Sequence, residues 1–151
     1  GLVELLQEIE TDMTLFFRQL AEVPLGEDAS DAALLDPLAE AWYDAAAVRG
    51  EYREKLLAWL RDRGARLRAA GEDAEVVRAR MNAVNPRYVL RNWIAQLAID
   101  EAAQGDLALL HDVERMLAAP YTEQPEFDRF YARRPDWAKE RAGCSMLSCS
   151  S

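Results

Sequence analysis

The chain has 151 residues, half of them hydrophobic and 30% charged, which is enough apolar material for one domain with a core. Its net charge is −9, and residues 1–47 hold eleven acidic side chains against Arg18 alone; without a basic excess it is a poor candidate for nucleic acid, whose affinity comes from neutralised phosphates. No apolar run is long enough to span a membrane and no basic-then-apolar leader opens the chain, so a soluble, intracellular protein is expected, with no membrane partner.

The chain opens on Gly1 and not Met, which suggests a piece of a longer protein or an expression scar. Leu2 to Ile9 and Met13 to Val23 read as two amphipathic helices, with Thr11 or Asp12 as the cap between them and Pro24 as the stop. In the second, Met13, Phe16, Phe17 and Leu20 are expected to face the core. Ser30 or Asp31 can cap a helix running through Ala32, Leu35, Leu38 and Trp42, with a kink at Pro37. A long helix follows from Tyr52 to Ala70, with Leu56, Leu57, Trp59, Leu60 and Leu67 inward and Gly71 at its end. Glu72 to Val84 reads as a more polar helix, and the arginines between Arg49 and Arg91 read as a solvated surface of i,i+4 pairs with the interleaved carboxylates.

The strongest local pattern is Asn85-Pro-Arg-Tyr-Val-Leu-Arg-Asn-Trp-Ile-Ala-Gln-Leu-Ala98. Asn85 is suited to an N-cap and Pro86 to the first helical position, so a central helix is expected to begin there, burying Val89, Leu90, Trp93, Ile94, Leu97 and Ala98. Gly105 and Asp106 stop one helix and cap the next, Leu107 to Ala118, which Pro120 ends. Short helical turns are expected near Glu126 to Arg133 and Pro135 to Arg141. Gly143 to Ser151 has four serines and both cysteines, Cys144 and Cys149, and reads as a mobile tail. The fold class is all-α, a helical domain of about six to eight helices.

Chemistry-bearing patterns are sparse. A di-metal site in a bundle needs Glu-x-x-His pairs, and His111, the single histidine, has Ala108 three residues before it. There is no phosphate loop and no dinucleotide fingerprint. The four tryptophans, Trp42, Trp59, Trp93 and Trp137, fall at helical spacing and read as core anchors.

Four ordered segments resemble the C-terminal region of the selenoprotein O family, also called YdiU. They are Thr14-Leu-Phe-Phe-Arg-Gln-Leu20, the stretch Asn85-Pro-Arg-Tyr-Val-Leu-Arg-Asn92 with Ala95-Gln96 and Ala98-Ile99, Pro120-Tyr-Thr-Glu-Gln-Pro125, and Pro135-Asp-Trp-Ala138 ahead of Ser148-Cys-Ser-Ser151. The resemblance implies a larger bacterial, cytoplasmic protein of pseudokinase fold that transfers AMP from ATP, with Mg or Mn, to Ser, Thr or Tyr hydroxyls of protein substrates. It implies that residues 1–142 are the helical C-terminal domain of that protein and 143–151 a flexible redox tail. The catalytic, nucleotide and metal residues would lie in the kinase-like N-terminal part, so none is carried onto this chain, and that part is the implied partner. Cys149 matches the family's terminal cysteine or selenocysteine and is implied to act in redox control. Cys144 departs from the Cys-x-x-Cys spacing, leaving it an accessory candidate. The competing expectation is a stand-alone helical interaction module with no catalytic activity, which differs in having no kinase-like segment ahead of Gly1.

Overall fold

The computed structural model describes residues 1–144. Among them all regular structure is helical, apart from one antiparallel bridge between Thr11 and Trp42. The all-α expectation therefore holds. The chain divides into two compact units, Gly1–Asn85 and Pro86–Ser151, the last seven residues of which lie outside the described part.

The N-terminal unit contains five α-helices: α1 (Leu2–Gln7), α2 (Met13–Gln19), α3 (Asp31–Leu35), α4 (Gly50–Ala69) and α5 (Ala74–Val84). Asp12, not Thr11, is the cap of α2, and its fully buried carboxylate accepts from the Leu15 N–H at 3.0 Å. After α2 the chain tightens into a 3-10 turn, Leu20–Glu22, ahead of Pro24. Ser30 caps α3 through the Ala33 N–H. At Pro37 the chain does not kink an α-helix; it changes to a 3-10 turn, Asp36–Ala41, because proline has no N–H for an i→i−4 bond yet fits the first turn of a tighter helix. Asp73 caps α5 with two bonds, to the Glu75 and Val76 N–H groups.

Leu15, Phe16, Leu20, Leu34, Leu38, Leu56, Leu57 and Leu60 form the buried interior of this unit with Trp42 and Tyr52. Trp59 and Leu67, expected inward on α4, are only half-buried. Gly64 lies in the middle of α4 where a Cβ would sit 3.4 Å from the Leu25 carbonyl oxygen and 3.2 Å from Arg68, so the helix interior tolerates glycine there for the sake of close approach.

The C-terminal unit is built on α6 (Asn92–Ala102) and α7 (Ala108–Ala118), followed by 3-10 turns at Pro125–Phe130 and Asp136–Ala138. Tyr88, Trp93, Ile94, Ala98, Leu109, Val113, Met116, Phe127, Phe130, Ala138 and Cys144 make one buried cluster. Two expectations are corrected here. Asn85 does not start a helix: it ends α5, its N–H and its side-chain amide both donating to the Met81 carbonyl, and α6 begins seven residues later. The residue before a proline is held in extended backbone, and Asn85 lies at φ −107°, ψ 108°, so α5 must close there. Leu90, placed in the buried stripe by its spacing, is accordingly 51% exposed. The second correction concerns Trp137, which is 44% exposed and anchors no core.

Candidate functional site

Three of the four segments that carry the family resemblance, Thr14–Leu20, Asn85–Asn92 and Pro120–Pro125, supply polar locks within their own unit. In the C-terminal unit the N–H groups of Arg87 and Tyr88 both donate to the Pro120 carbonyl, at 2.8 and 3.1 Å. This pair of hydrogen bonds to one acceptor takes the N–H groups of Arg87 and Tyr88 outside any helix, and residues 86–91 are non-helical. Tyr88 is 1% exposed, and its hydroxyl lies 2.9 Å from the Gln124 carbonyl and 3.0 Å from Asp128 Oδ1 while accepting from the Gln124 N–H. The amide of Gln124 in turn donates to the carbonyls of Met116 and Ala119, near the end of α7. Those carbonyls also accept the backbone N–H groups of Ala119 and Thr122, at 3.4 and 3.1 Å, so Gln124 adds a second donor to each at the end of α7.

Arg87 completes the arrangement by donating to Asp128 Oδ1 at 2.9 Å and lying 4.0 Å over the Tyr131 ring. That hydrogen bond, the largest influence on Asp128, holds its carboxyl below the usual carboxylate range. Whatever stability the contact contributes is therefore present at neutral pH and lost as the pH falls through the depressed value.

In the N-terminal unit Arg18, from the segment Thr14–Leu20, plays the equivalent part. Its side chain is 5% exposed, and Nη1 donates to the carbonyls of Asn82 and Asn85 at 3.0 Å each, closing the C-terminus of α5. Two of the four matching segments are thus tied together by one guanidinium. Arg18, Tyr88 and Gln124 thus bond backbone groups, and Arg87 bonds the Asp128 carboxylate and the Tyr88 hydroxyl.

Cys149 lies outside the described residues. Cys144, expected in a mobile tail, is 2% exposed within the C-terminal cluster. The chain leading to it is docked: Arg141 pairs with Asp100 at 2.5 Å, and the Cys144 N–H donates to the Arg141 carbonyl. Gly143 adopts φ +86° with its α-carbon so close to α6 that a Cβ would sit 2.6 Å from Gln96 Oε1. Only glycine fits this turn without strain. The sequence signal for this anchoring was slight, since Cys144 is a small hydrophobe in a serine-rich end. Gly143→Ala is expected to cost about 1–2 kcal/mol through the left-handed backbone and to raise the native rate of Cys144 alkylation by iodoacetamide. Denaturant melts and mass spectrometry check the two effects.

His111 is exposed and pairs only with Glu114 of its own helix, 3.2 Å away. Among the described residues no group of three His, Cys, Asp or Glu side chains is placed to hold a metal ion, and none of the described clefts presents a phosphate-binding loop. No described helix is long and apolar enough to cross a membrane.

Sequence reading missed one feature. A cleft between α4 and α5 is lined by Trp59, Leu67, Val77 and Met81 together with Arg63, Arg66 and Arg80.

No protein-family model matches the chain. Individual proteins do, over nearly its whole length. A protein nucleotidyltransferase YdiU of Rhodopirellula baltica is 48% identical over 160 residues, covering 100% of this chain and 29% of that protein. Proteins of the same name from an Azoarcus species and from Aromatoleum aromaticum are 53% and 50% identical, each covering 97% of the chain and 27% of the relative. This chain belongs to the YdiU family. It spans between a quarter and a third of the length of these YdiU relatives. The family resemblance read from the four segments is thus borne out by relatives that match nearly the whole chain.

Proposed function

We propose that this chain is the helical C-terminal part of a protein adenylyltransferase whose chemistry is carried out elsewhere in the same protein. In this reading a kinase-like part transfers AMP from ATP to Ser, Thr or Tyr hydroxyls of other proteins. The group implied there, ATP with Mg or Mn, would supply the transferred phosphoryl unit and its charge neutralisation. The present residues pack against the kinase-like part and carry Cys149 as a redox contact to it. The observation that carries the proposal is the combination of a match over 97–100% of the chain with coverage of only 27–29% of relatives named as nucleotidyltransferases. It is supported by the chemistry of the described residues, which are committed to packing and to backbone locks and offer no donor set for a metal–triphosphate.

The burial of Cys144 favours Cys149 as the exchanging thiol, because a thiol sealed in an apolar cluster is inert until the cluster opens.

The test uses ATP labelled on the α-phosphate. This chain alone, incubated with the label, Mg2+ and a bacterial protein extract, is expected to transfer no AMP, whereas protein expressed from the coding region with whatever sequence lies before Gly1 is expected to transfer it. Transfer by the chain alone, or none by the longer protein, overturns the proposal. In the longer protein, Cys149→Ser is expected to remove the oxidised crosslink seen by non-reducing mass spectrometry, and Cys144→Ser to leave it in place.

A further inference from the structure

Most of the arginines of α4 and α5 have a carboxylate or carbonyl partner within the N-terminal unit. Arg53 and Arg61 share Asp31, Arg66 pairs with Asp62, Arg78 with Glu22 and Glu75, Arg80 with Glu72, and Arg68 donates to the Leu25 carbonyl. Arg63 differs from these. It is half-buried, its Nη1 is sealed from solvent with no hydrogen-bond partner, and its Nη2 meets only the sulfur of Met81, 3.0 Å away. A thioether is a weak acceptor, and a guanidinium partly withdrawn from water without a counter-ion is costly. Burial accordingly pulls the Arg63 pKa below its usual range.

The position has a second property. Arg63 lines the cleft between α4 and α5, a space of about 370 Å3 whose other walls are Trp59, Leu67, Val77 and Met81. At its rim Arg66 and Arg80 are well exposed and already neutralised by Asp62 and Glu72. The volume has room for one bulky side chain with a carboxylate beside it, and the solvent-facing rim gives access to a side chain arriving from another polypeptide. The one charge left uncompensated in the cleft is positive, although the chain as a whole carries −9.

We propose that this cleft is a docking site for an acidic–apolar protein segment: a carboxylate pairs with Arg63 in place of the Met81 sulfur, and an adjoining bulky apolar side chain packs on Trp59, Leu67 and Val77. Exchanging a thioether for a carboxylate gives the guanidinium charge-assisted, two-pronged hydrogen bonding. Met81 is unbranched and half-buried, so its side chain can swing aside without moving α5. The segment is recognised by this pairing of charge and apolar bulk. The site stands whether or not the chain serves an adenylyltransferase.

The test is an NMR titration of the 151-residue chain with two blocked peptides, acetyl-Leu-Glu-Phe-Ala-amide and its Gln counterpart, following the Trp59 indole N–H, assigned with Trp59→Phe, and the Met81 methyl group. The Glu peptide is expected to shift both signals saturably and to bind about tenfold or more tightly than the Gln peptide, the difference that a charged hydrogen bond carries. Arg63→Met is expected to abolish that preference while melting at or above the wild-type midpoint, since an unpaired, partly buried charge is replaced by apolar packing. Arg63→Lys is expected to keep part of the preference. Equal binding of the two peptides, no saturable shift up to about 10 mM, a preference that survives Arg63→Met, or a lowered melting midpoint in that variant would each overturn the proposal.

Discussion

Trp93→Ala is expected to destabilise the C-terminal unit by about 3–5 kcal/mol, which is a large part of what holds an ordinary domain folded. Trp93 is 7% exposed and its ring centroid lies 6.1 Å from that of Phe130, so the substitution opens a cavity between the first turn of α6 and the turn Pro125–Phe130. The lost contacts are not local along the chain. Ile94, Met116 and Phe127 belong to the same close-packed cluster, which relaxes only in part into such a gap. Trp93→Phe should cost much less, because the indole N–H is buried without a hydrogen-bond partner and its removal leaves nothing unpaired. Leu90→Ala provides the contrast. By spacing alone it belongs to the same stripe, but at 51% exposure its loss should stay within about 0.5 kcal/mol. Urea melts of the three variants measure these differences. A Trp93→Ala variant as stable as Leu90→Ala would mean that the cluster is not the core of this unit.

Why Leu90 misled is a matter of where hydrogen bonds go. Asn85-Pro86 has the composition of a helix start, and the apolar positions after it keep helical spacing. The decisive partner is Pro120, 33 residues beyond Arg87, whose carbonyl takes the N–H groups of both Arg87 and Tyr88 and keeps this stretch out of a helix. Nothing in the local pattern announces an acceptor that far away. The periodicity was correct from Trp93 onward, where Trp93, Ile94 and Ala98 are buried, because from Asn92 the backbone bonds are again internal to the helix.

The helices with local punctuation were legible. Ser30 ahead of α3 and Gly105-Asp106 ahead of α7 act within a few residues, by caps and turns that need no tertiary partner, whereas the cap of α5, Asp73, lies inside the helix that the sequence pattern started at Glu72. Arg63 was legible in principle and was missed. Arg66 has Asp62 four residues before it and Arg78 has Glu75 three before it, so reading the arginines of this region as paired surface charges is right for them. Around Arg63 the corresponding positions are Trp59, Leu60, Arg66 and Leu67, with no carboxylate among them. An arginine flanked at helical spacing by apolar residues was the available signal. Cys144 was illegible for the opposite reason: its burial depends on Gly143 meeting Gln96 on α6, a contact between segments 47 residues apart.

Arg18→Ala is expected to cost the N-terminal unit about 3 kcal/mol, the effect of removing a buried charged donor from two carbonyl acceptors. The side chain comes from α2 and is 5% exposed, and its Nη1 holds the carbonyls of Asn82 and Asn85. Both carbonyls belong to the end of α5, where no intrahelical N–H remains to satisfy them. Alanine would leave these acceptors to find water in a space that the guanidinium now fills, so the loss combines unpaired oxygens with a packing defect. Arg18→Lys should recover only part of it, because one ammonium on a flexible stem reproduces neither the planar fork nor its fixed reach. Arg78→Ala is the matching control: Arg78 sits on α5 with two carboxylate partners, but it is 45% exposed, and exposed pairs contribute about 0–1 kcal/mol. Amide hydrogen exchange distinguishes the intended mechanism from general loss of stability. In Arg18→Ala the N–H groups of the last turn of α5 should lose protection under conditions where those of α4 keep theirs, because the lock acts on the end of one helix. If α4 and α5 lost protection together while the melt fell by less than about 1 kcal/mol, Arg18 would not be what closes α5.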